Sequence, residues 1–340
     1  MESLLHEFVS GRSTLVLFVF MAVLLVFLAN GADLLVDKAV DLSQLAGVPK
    51  ALVGATVVSL GTTLPEASVS VLAAVEGNPG LALGNAVGSI ICDTGLILGL
   101  GATLKPLPLD RCIVNRQGWI QLGAGLLLVF LCLPYSNLNR IFDVEGNLPQ
   151  IAGFLFLALL AIYFYWSYRT AMQEENRLAS EADEKLSWQR ITKDLLIMAV
   201  AVAVVIVSSK VLIICAEELA YRLKVPESVI AASLVAFGTS LPELVTVLSS
   251  IRKGQGELAI GNVIGADILN VLFVAGAAAA VTPGGLTVQR DFFTTHLPIM
   301  VALLVIFRIG ILVCKTHLSR WVGSILLLTY LGFLFTNYLG

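Results

Sequence analysis

Two short stretches, one in each half of the chain, limit what it can fold into. Gly61-Thr62-Thr63-Leu64-Pro65-Glu66 returns as Gly238-Thr239-Ser240-Leu241-Pro242-Glu243. Each leads into a second motif. Gly84-Asn85-Ala86-Val87-Gly88-Ser89 precedes Asp93, and Gly261-Asn262-Val263-Ile264-Gly265-Ala266 precedes Asn270. Aligned without a gap, residues 61–99 and 238–276 agree at 13 of 39 positions. The interval from Glu66 to Asp93 equals that from Glu243 to Asn270. Any fold must therefore house this arrangement twice, inside segments that are otherwise apolar.

Those segments belong in a bilayer. Of 340 residues, 57% are hydrophobic and 13% charged, with a mean hydropathy of +0.90. Soluble domains carry about 25% charged residues, and a chain this apolar cannot cover a soluble surface. A net charge of −3 without a basic stripe points away from a nucleic-acid partner. The five cysteines are scattered without metal or redox spacing, and read as small apolar helix residues. The three histidines lie near segment ends and form no cluster. No nucleotide-binding or soluble catalytic motif is visible. The apolar run from Leu15 continues too far for a cleaved leader, so it reads as a retained membrane helix.

The pattern predicts an all-α membrane protein with ten transmembrane helices, at about 13 into the 30s, 49–75, 81–103, 117–134, 149–168, 192–221, 226–251, 257–279, 295–314 and 318–338. Asn30, Gly31 and Asp33 interrupt the first. Residues 1–168 form one five-helix repeat, 169–190 a charged cytoplasmic connector, and 191–340 the second repeat. Five is odd, so the second repeat enters from the opposite side and the two are inverted. Lysine and arginine placement tests this independently. Loops after odd-numbered spans hold fourteen of them, and the other side five (Arg12, Arg140, Arg222, Lys224 and Arg290). That bias puts the connector in the cytoplasm and both termini outside.

Helix rise places the polar groups in depth. Glu66 lies ten residues before Glu76, at the turn Glu76-Gly77-Asn78-Pro79-Gly80. That is about 15 Å, half the apolar thickness. Asp93 returns to similar depth on the next helix, and Glu243 and Asn270 repeat the pattern. A lone carboxylate at that depth costs at least about 2.5–3.5 kcal/mol. Glu66, Asp93 and Glu243 therefore call for cations or protons. Hard cations take oxygen ligands, which Thr62, Thr63, Thr239, Ser240 and Ser89 supply as hydroxyls and Asn270 as an amide. Pro65 and Pro242 lack an N–H and disfavour helix just before them. The broken helices this produces at the midplane free carbonyls, with those of Ser59 and Ala236 as candidates. A single proline kink or Gly-x-x-x-Gly pattern is ordinary helix packing; duplication of the whole set is not. Asp267, opposite Ile90 in the repeat, is left as an extra ligand, a proton site or a vestibule residue. Glu217, Glu218, Asp33, Asp37 and Asp41 are expected to meet water.

At these residues the chain resembles the calcium/cation antiporter superfamily, specifically its bacterial and archaeal Na⁺/Ca²⁺ exchanger-like members. The motifs cover residues 49–103 and 226–279, and the ten-span plan covers the whole chain. The resemblance implies two inverted five-helix repeats, four central sites, and electrogenic exchange of Ca²⁺ for several Na⁺ by alternating access, with the long first and sixth helices sliding over a fixed core. It implies that Glu66 and Glu243 bind Ca²⁺, that Thr62, Thr63, Thr239 and Ser240 add hydroxyl ligands, that Ser89 belongs to a Na⁺ site, and that Asp93 and Asn270 form the last pair. Departures are visible: Ala266 lacks the hydroxyl of Ser89, the aspartate and asparagine are reversed between repeats, and Ile90 and Asp267 replace what is commonly asparagine. The expected protein is a non-enzymatic antiporter of a prokaryotic cytoplasmic membrane, without a cofactor or obligate protein partner. Ca²⁺/H⁺ exchange, or use of another cation such as K⁺, is the alternative. An ion channel and an intramembrane aspartyl protease fit less well, because the polar groups sit within one duplicated chain and centre on glutamates and hydroxyls.

Overall fold

The computed structural model describes residues 9–178, 188–222 and 238–338. Helix α1 spans Thr14–Leu45 and α2 spans Lys50–Val75, broken into Lys50–Thr62 and Leu64–Val75 at a 45° bend. Then come α3 (Pro79–Leu104), α4 (Arg111–Cys132), α5 (Gln150–Leu178), α6 (Trp188–Arg222), α7 (Leu241–Arg252), α8 (Gly256–Val281), α9 (Phe292–Val313) and α10 (Arg320–Tyr338). Among the described residues six helices are long and apolar enough to cross a membrane, or seven if bent α2 is one span. Helix α4 misses that mark; its first half carries Asn115, Arg116, Gln117 and Gln121. The expected start of the seventh span and most of the expected connector lie outside the described residues.

The recurrence of the two motifs extends from sequence to geometry. Leu64–Val75 and Leu241–Arg252 are equivalent helices, each with proline in its first turn. Both end in the same cap. Gly77 and Gly254 take φ of +80° and +73°, which a side chain would oppose. The N–H of Asn78 bonds to the Ala73 carbonyl at 2.8 Å and that of Gly77 to Ala74 at 3.2 Å; Gln255 to Ser250 (2.7 Å) and Gly254 to Ile251 (3.1 Å) repeat the pattern. This reciprocal closure reverses the chain into α3 and α8. Both then widen into π-helical turns, Cys92–Leu98 and Asn270–Ala275, which contain Asp93 and begin at Asn270 respectively.

The two hairpins form the centre of the molecule. In α8, 89% of the apolar window is buried in protein, and 72% in α3, against 28% in α1 and α5. The outer helices turn large side chains such as Leu15, Phe18, Ile151 and Phe154 outward, which in a bilayer is the lipid face. Helices α2 and α8 run in the same direction with backbones nearly touching. A Cβ on Gly261 would strike the Ala51 carbonyl, and one on Gly265 would strike Ala55 and, at 2.5 Å, Ser59 Oγ. Two short strand pairs tie the halves together: β1 (Leu107–Pro108) with β4 (His317–Leu318), and β2 (Gly146–Leu148) with β3 (Leu286–Val288).

Helix α1 departs from expectation. Asn30, Gly31 and Asp33 do not interrupt it. Asn30 Nδ2 donates to its own helix at the Val26 carbonyl (2.7 Å), and Gly31 lets α6 approach through Val204 and Val205. The acids that follow are ion-paired: Asp33 with Arg252, Asp37 with Lys253 at 2.5 Å, and Asp41 with Lys38 at 2.6 Å. Glu218 likewise pairs with Arg222 at 2.7 Å. Arg308, buried between α9 and α4, has no carboxylate beside it among the described residues. It donates to the backbone and side-chain oxygens of Asn115 and stacks 4.1 Å from the Trp119 ring.

Candidate cation site

The bend in α2 falls at Thr63, whose φ and ψ are −81° and −4°; Ser240, at the head of α7, takes −86° and 6°. Each break precedes its proline by two residues, because Pro65 and Pro242 have no N–H to continue the ladder behind them. Glu66 and Glu243 then sit in the first turn of a new helix, where the exposed backbone N–H groups favour negative charge. Both carboxylates are 1% exposed.

Ser59, Thr62, Thr63, Ser89, Asp93, Ser240 and Asn270 are also buried, each at 2% exposure or less. Asp93 and Asn270 meet between α3 and α8, with Asn270 Nδ2 donating to Asp93 Oδ2 at 3.4 Å. Thr62 approaches Glu243 without reaching hydrogen-bond geometry, and Ser240 approaches Asp93. Thr239 lies nearby but turns toward Asn85. The Ser59 carbonyl accepts the Thr63 N–H at 2.9 Å and the Thr62 hydroxyl at 3.3 Å. Ala236, the matching carbonyl in the second repeat, lies outside the described residues.

Three features define what this cluster can do. First, four buried carboxylates influence one another in pairs: Glu66 with Asp93 and Glu243, and Asp93 with Glu243 and Asp267. Second, among the described residues no basic side chain contributes to the surroundings of any of the four. Third, the oxygens are unspent. Both of Glu66, both of Glu243, and one each on Thr63, Ser89, Asp93, Ser240, Asp267 and Asn270 are buried without a hydrogen-bond partner among the described residues. Buried charge without partners is costly, and a bound cation would answer all three features together. The donor set is mixed. Among the described residues no three carboxylates, histidines or cysteines converge as a tight metal cluster, so hydroxyl, amide and carbonyl oxygens must complete any coordination.

Several participants were not singled out from the sequence. Asp267 is held by Thr94 of α3 and by Gln121 of α4 at 2.5 Å, both on Oδ2. Tyr163 of α5 donates to the Ala55 carbonyl at 2.9 Å, in the wide π-helical turn of α2. Gln117 and Gln121, one helical turn apart on a membrane helix, were the available signal. Asn85 donates through Nδ2 to the Glu66 carbonyl (3.1 Å) and to Ser70 Oγ (3.0 Å), and accepts from Thr239 (3.2 Å).

Comparison with known proteins follows the same lines. A family model described as sodium/calcium exchanger protein matches residues 16–169 and 193–339. The sodium/calcium exchanger MaX1 of Methanosarcina acetivorans is 30% identical, over 91% of this chain and 95% of its own. The inner membrane protein YrbG of Escherichia coli is 31% identical, over 79% of this chain and 82% of its own. Among solved structures, the sodium-calcium exchanger NCX_Mj soaked with 10 mM Na⁺ superposes with a TM-score of 0.78 at 23% identity, covering 96% of this chain and all of that one. That likeness shows a shared fold.

Proposed function

The chain belongs to the sodium/calcium exchanger family, a family of membrane transporters rather than enzymes, and we propose that it extrudes Ca²⁺ in exchange for several Na⁺, electrogenically and by alternating access. The observation that carries this reading is the set of four electrostatically linked buried carboxylates, with unspent oxygens and no basic partner among the described residues. Ca²⁺ would sit between Glu66 and Glu243, completed by oxygens of Thr62, Thr63, Thr239 and Ser240 with the carbonyls of Ser59 and Ala236. Na⁺ would compete there and at Ser89, Asp93 and Asn270. Two cation charges neutralise two glutamates, and so would two Na⁺, which makes the occupants mutually exclusive.

Ten spans in two inverted five-helix repeats suit this mechanism. The hairpin α2–α3 recurs as α7–α8, and α8 runs parallel to α2 and hence opposite to α3. The long α1 and α6 pack along each other through apolar surfaces, including Leu24, Leu28, Val205 and Leu212. They would slide across the core to expose the site to either side. We place the protein in a prokaryotic cytoplasmic membrane, with both termini outside and residues 169–190 in the cytoplasm.

The test is radioactive Ca²⁺ uptake by proteoliposomes loaded with Na⁺ and diluted into Na⁺-free buffer, with potential and pH clamped. Uptake should need internal Na⁺ and vanish in Glu66→Ala. Undiminished uptake in that variant would refute the site. The fourth carboxylate favours a second reading in which protons replace Na⁺, because Asp267 has a buried oxygen without a partner. In that case an imposed pH gradient, without Na⁺, should drive uptake.

A further inference from the structure

A hydroxyl that offers its lone pairs to a cation must send its hydrogen elsewhere, which needs an acceptor on the far side. Thr239 has one. Its Oγ1 donates to Asn85 Oδ1 at 3.2 Å, between the two hairpins. The other end of the same amide is occupied. Nδ2 donates to the Glu66 backbone carbonyl at 3.1 Å and to Ser70 Oγ at 3.0 Å. Those contacts set its orientation, since a flipped amide would face oxygen toward the Glu66 carbonyl.

We propose that Asn85 is a positioning residue for cation binding: it takes up the hydrogen of the Thr239 hydroxyl, turns that oxygen's lone pairs to the cation, and fixes the hydroxyl against the turn that carries Glu66. The proposal rests on the reading that cations bind at Glu66 and Glu243. Asn85 touches no cation itself; it acts through Thr239 and the Glu66 backbone. The mirror residue does not duplicate it. Asn262 is fully buried, and neither its Oδ1 nor its Nδ2 has a hydrogen-bond partner among the described residues. Thr62, the mirror of Thr239, gives its hydrogen to the Ser59 carbonyl at 3.3 Å instead. One repeat thus holds the hydroxyl of the other through an amide, while the reverse contact is missing.

The experiment measures Na⁺-driven uptake over a range of Ca²⁺ concentrations in Asn85→Ala, Thr239→Val and the double variant. Each single change should raise the KM for Ca²⁺ about 10-fold, equivalent to about 1.4 kcal/mol, with the maximal rate within about two-fold of wild type. The double variant should match Thr239→Val, because Asn85 acts through that hydroxyl. Multiplied KM effects, an unchanged KM in Asn85→Ala, or a loss of maximal rate alone would overturn the proposal. If Asn85→Ala does not fold, Asn85→Ser takes its place. Serine still donates locally but falls short of Thr239, so the same KM rise is expected and its absence would be equally decisive. Glu66→Ala, run in parallel, separates the two readings. Wild-type transport there ends the cation-site reading. Loss there with a wild-type KM in Asn85→Ala ends only this one.

Discussion

Among the described residues, Asp267 carries two hydrogen bonds on one carboxylate oxygen, from Thr94 and Gln121, while Oδ1 lies buried without a partner. Replacing Gln121 with leucine keeps much of the volume but leaves the carboxylate with a single donor. Losing a partner of a buried polar group costs about 1–3 kcal/mol, more for a charged one. Gln121→Leu should therefore lower the thermal unfolding midpoint in detergent, and adding Asp267→Asn should recover part of the loss because a neutral amide needs less solvation. An unchanged midpoint in Gln121→Leu would mean that the bond contributes nothing to stability. At this scale the sequence was only partly readable. The burial of Glu66, Glu243, Asp93 and Asn270 was legible because a polar residue deep in an apolar segment demands a reason, and the duplication supplied one. The partners of Asp267 were not, because they come from 146 and 173 residues away. Only the packing of α4 and α3 against α8 brings them together.

At the scale of elements, the contact between α2 and α8 depends on missing side chains. A methyl on Gly265 would meet the Ala55 carbonyl, the Ala55 Cα at 2.6 Å and Ser59 Oγ at 2.5 Å. Backbone cannot move aside as a flexible side chain can. Gly265→Ala should push α8 away from the first half of α2 and displace Asn270 from Asp93, whose contact is already long at 3.4 Å. The expected result is a folded protein by size exclusion with at least about a ten-fold loss of Ca²⁺ transport, in keeping with the cost of overpacking. Full transport in Gly265→Ala would show that the helices have slack there. The hairpins themselves were legible, since proline, glycine and the exact repeat of their spacing specify both the breaks and the caps. The continuity of α1 through Asn30, Gly31 and Asp33 was not, because it depends on α6 packing against Gly31 and on Arg252 waiting for Asp33. The π-helical turns at Asp93 and Asn270 had no sequence signal that separates them from ordinary helix.

Across the whole molecule, the orientation proposed above rests on charge and on the parity of the proposed repeats. Asp33 and Asp37 bind α1 to Arg252 and Lys253 at the α7–α8 turn, so that turn and the end of α1 lie on one face. The α2–α3 turn lies on the other, because α2 and α8 run the same way while each hairpin reverses its chain. The ten-span plan puts fourteen lysines and arginines on the first face and five on the second, and positive loops stay in the cytoplasm. The five crossings proposed for each half would then put the connector on the face opposite both termini. Alkaline phosphatase fused after Gly340 should be active and green fluorescent protein at the same point dark, whereas the fluorescent protein inserted within 179–187 should glow. Both reporters on one side would mean an even number of crossings in the second half, which would end the proposed five-helix second repeat. The exchanged sides would keep the mirror but reverse the charge rule, and the face that α1 closes with its ion pairs would then look outward.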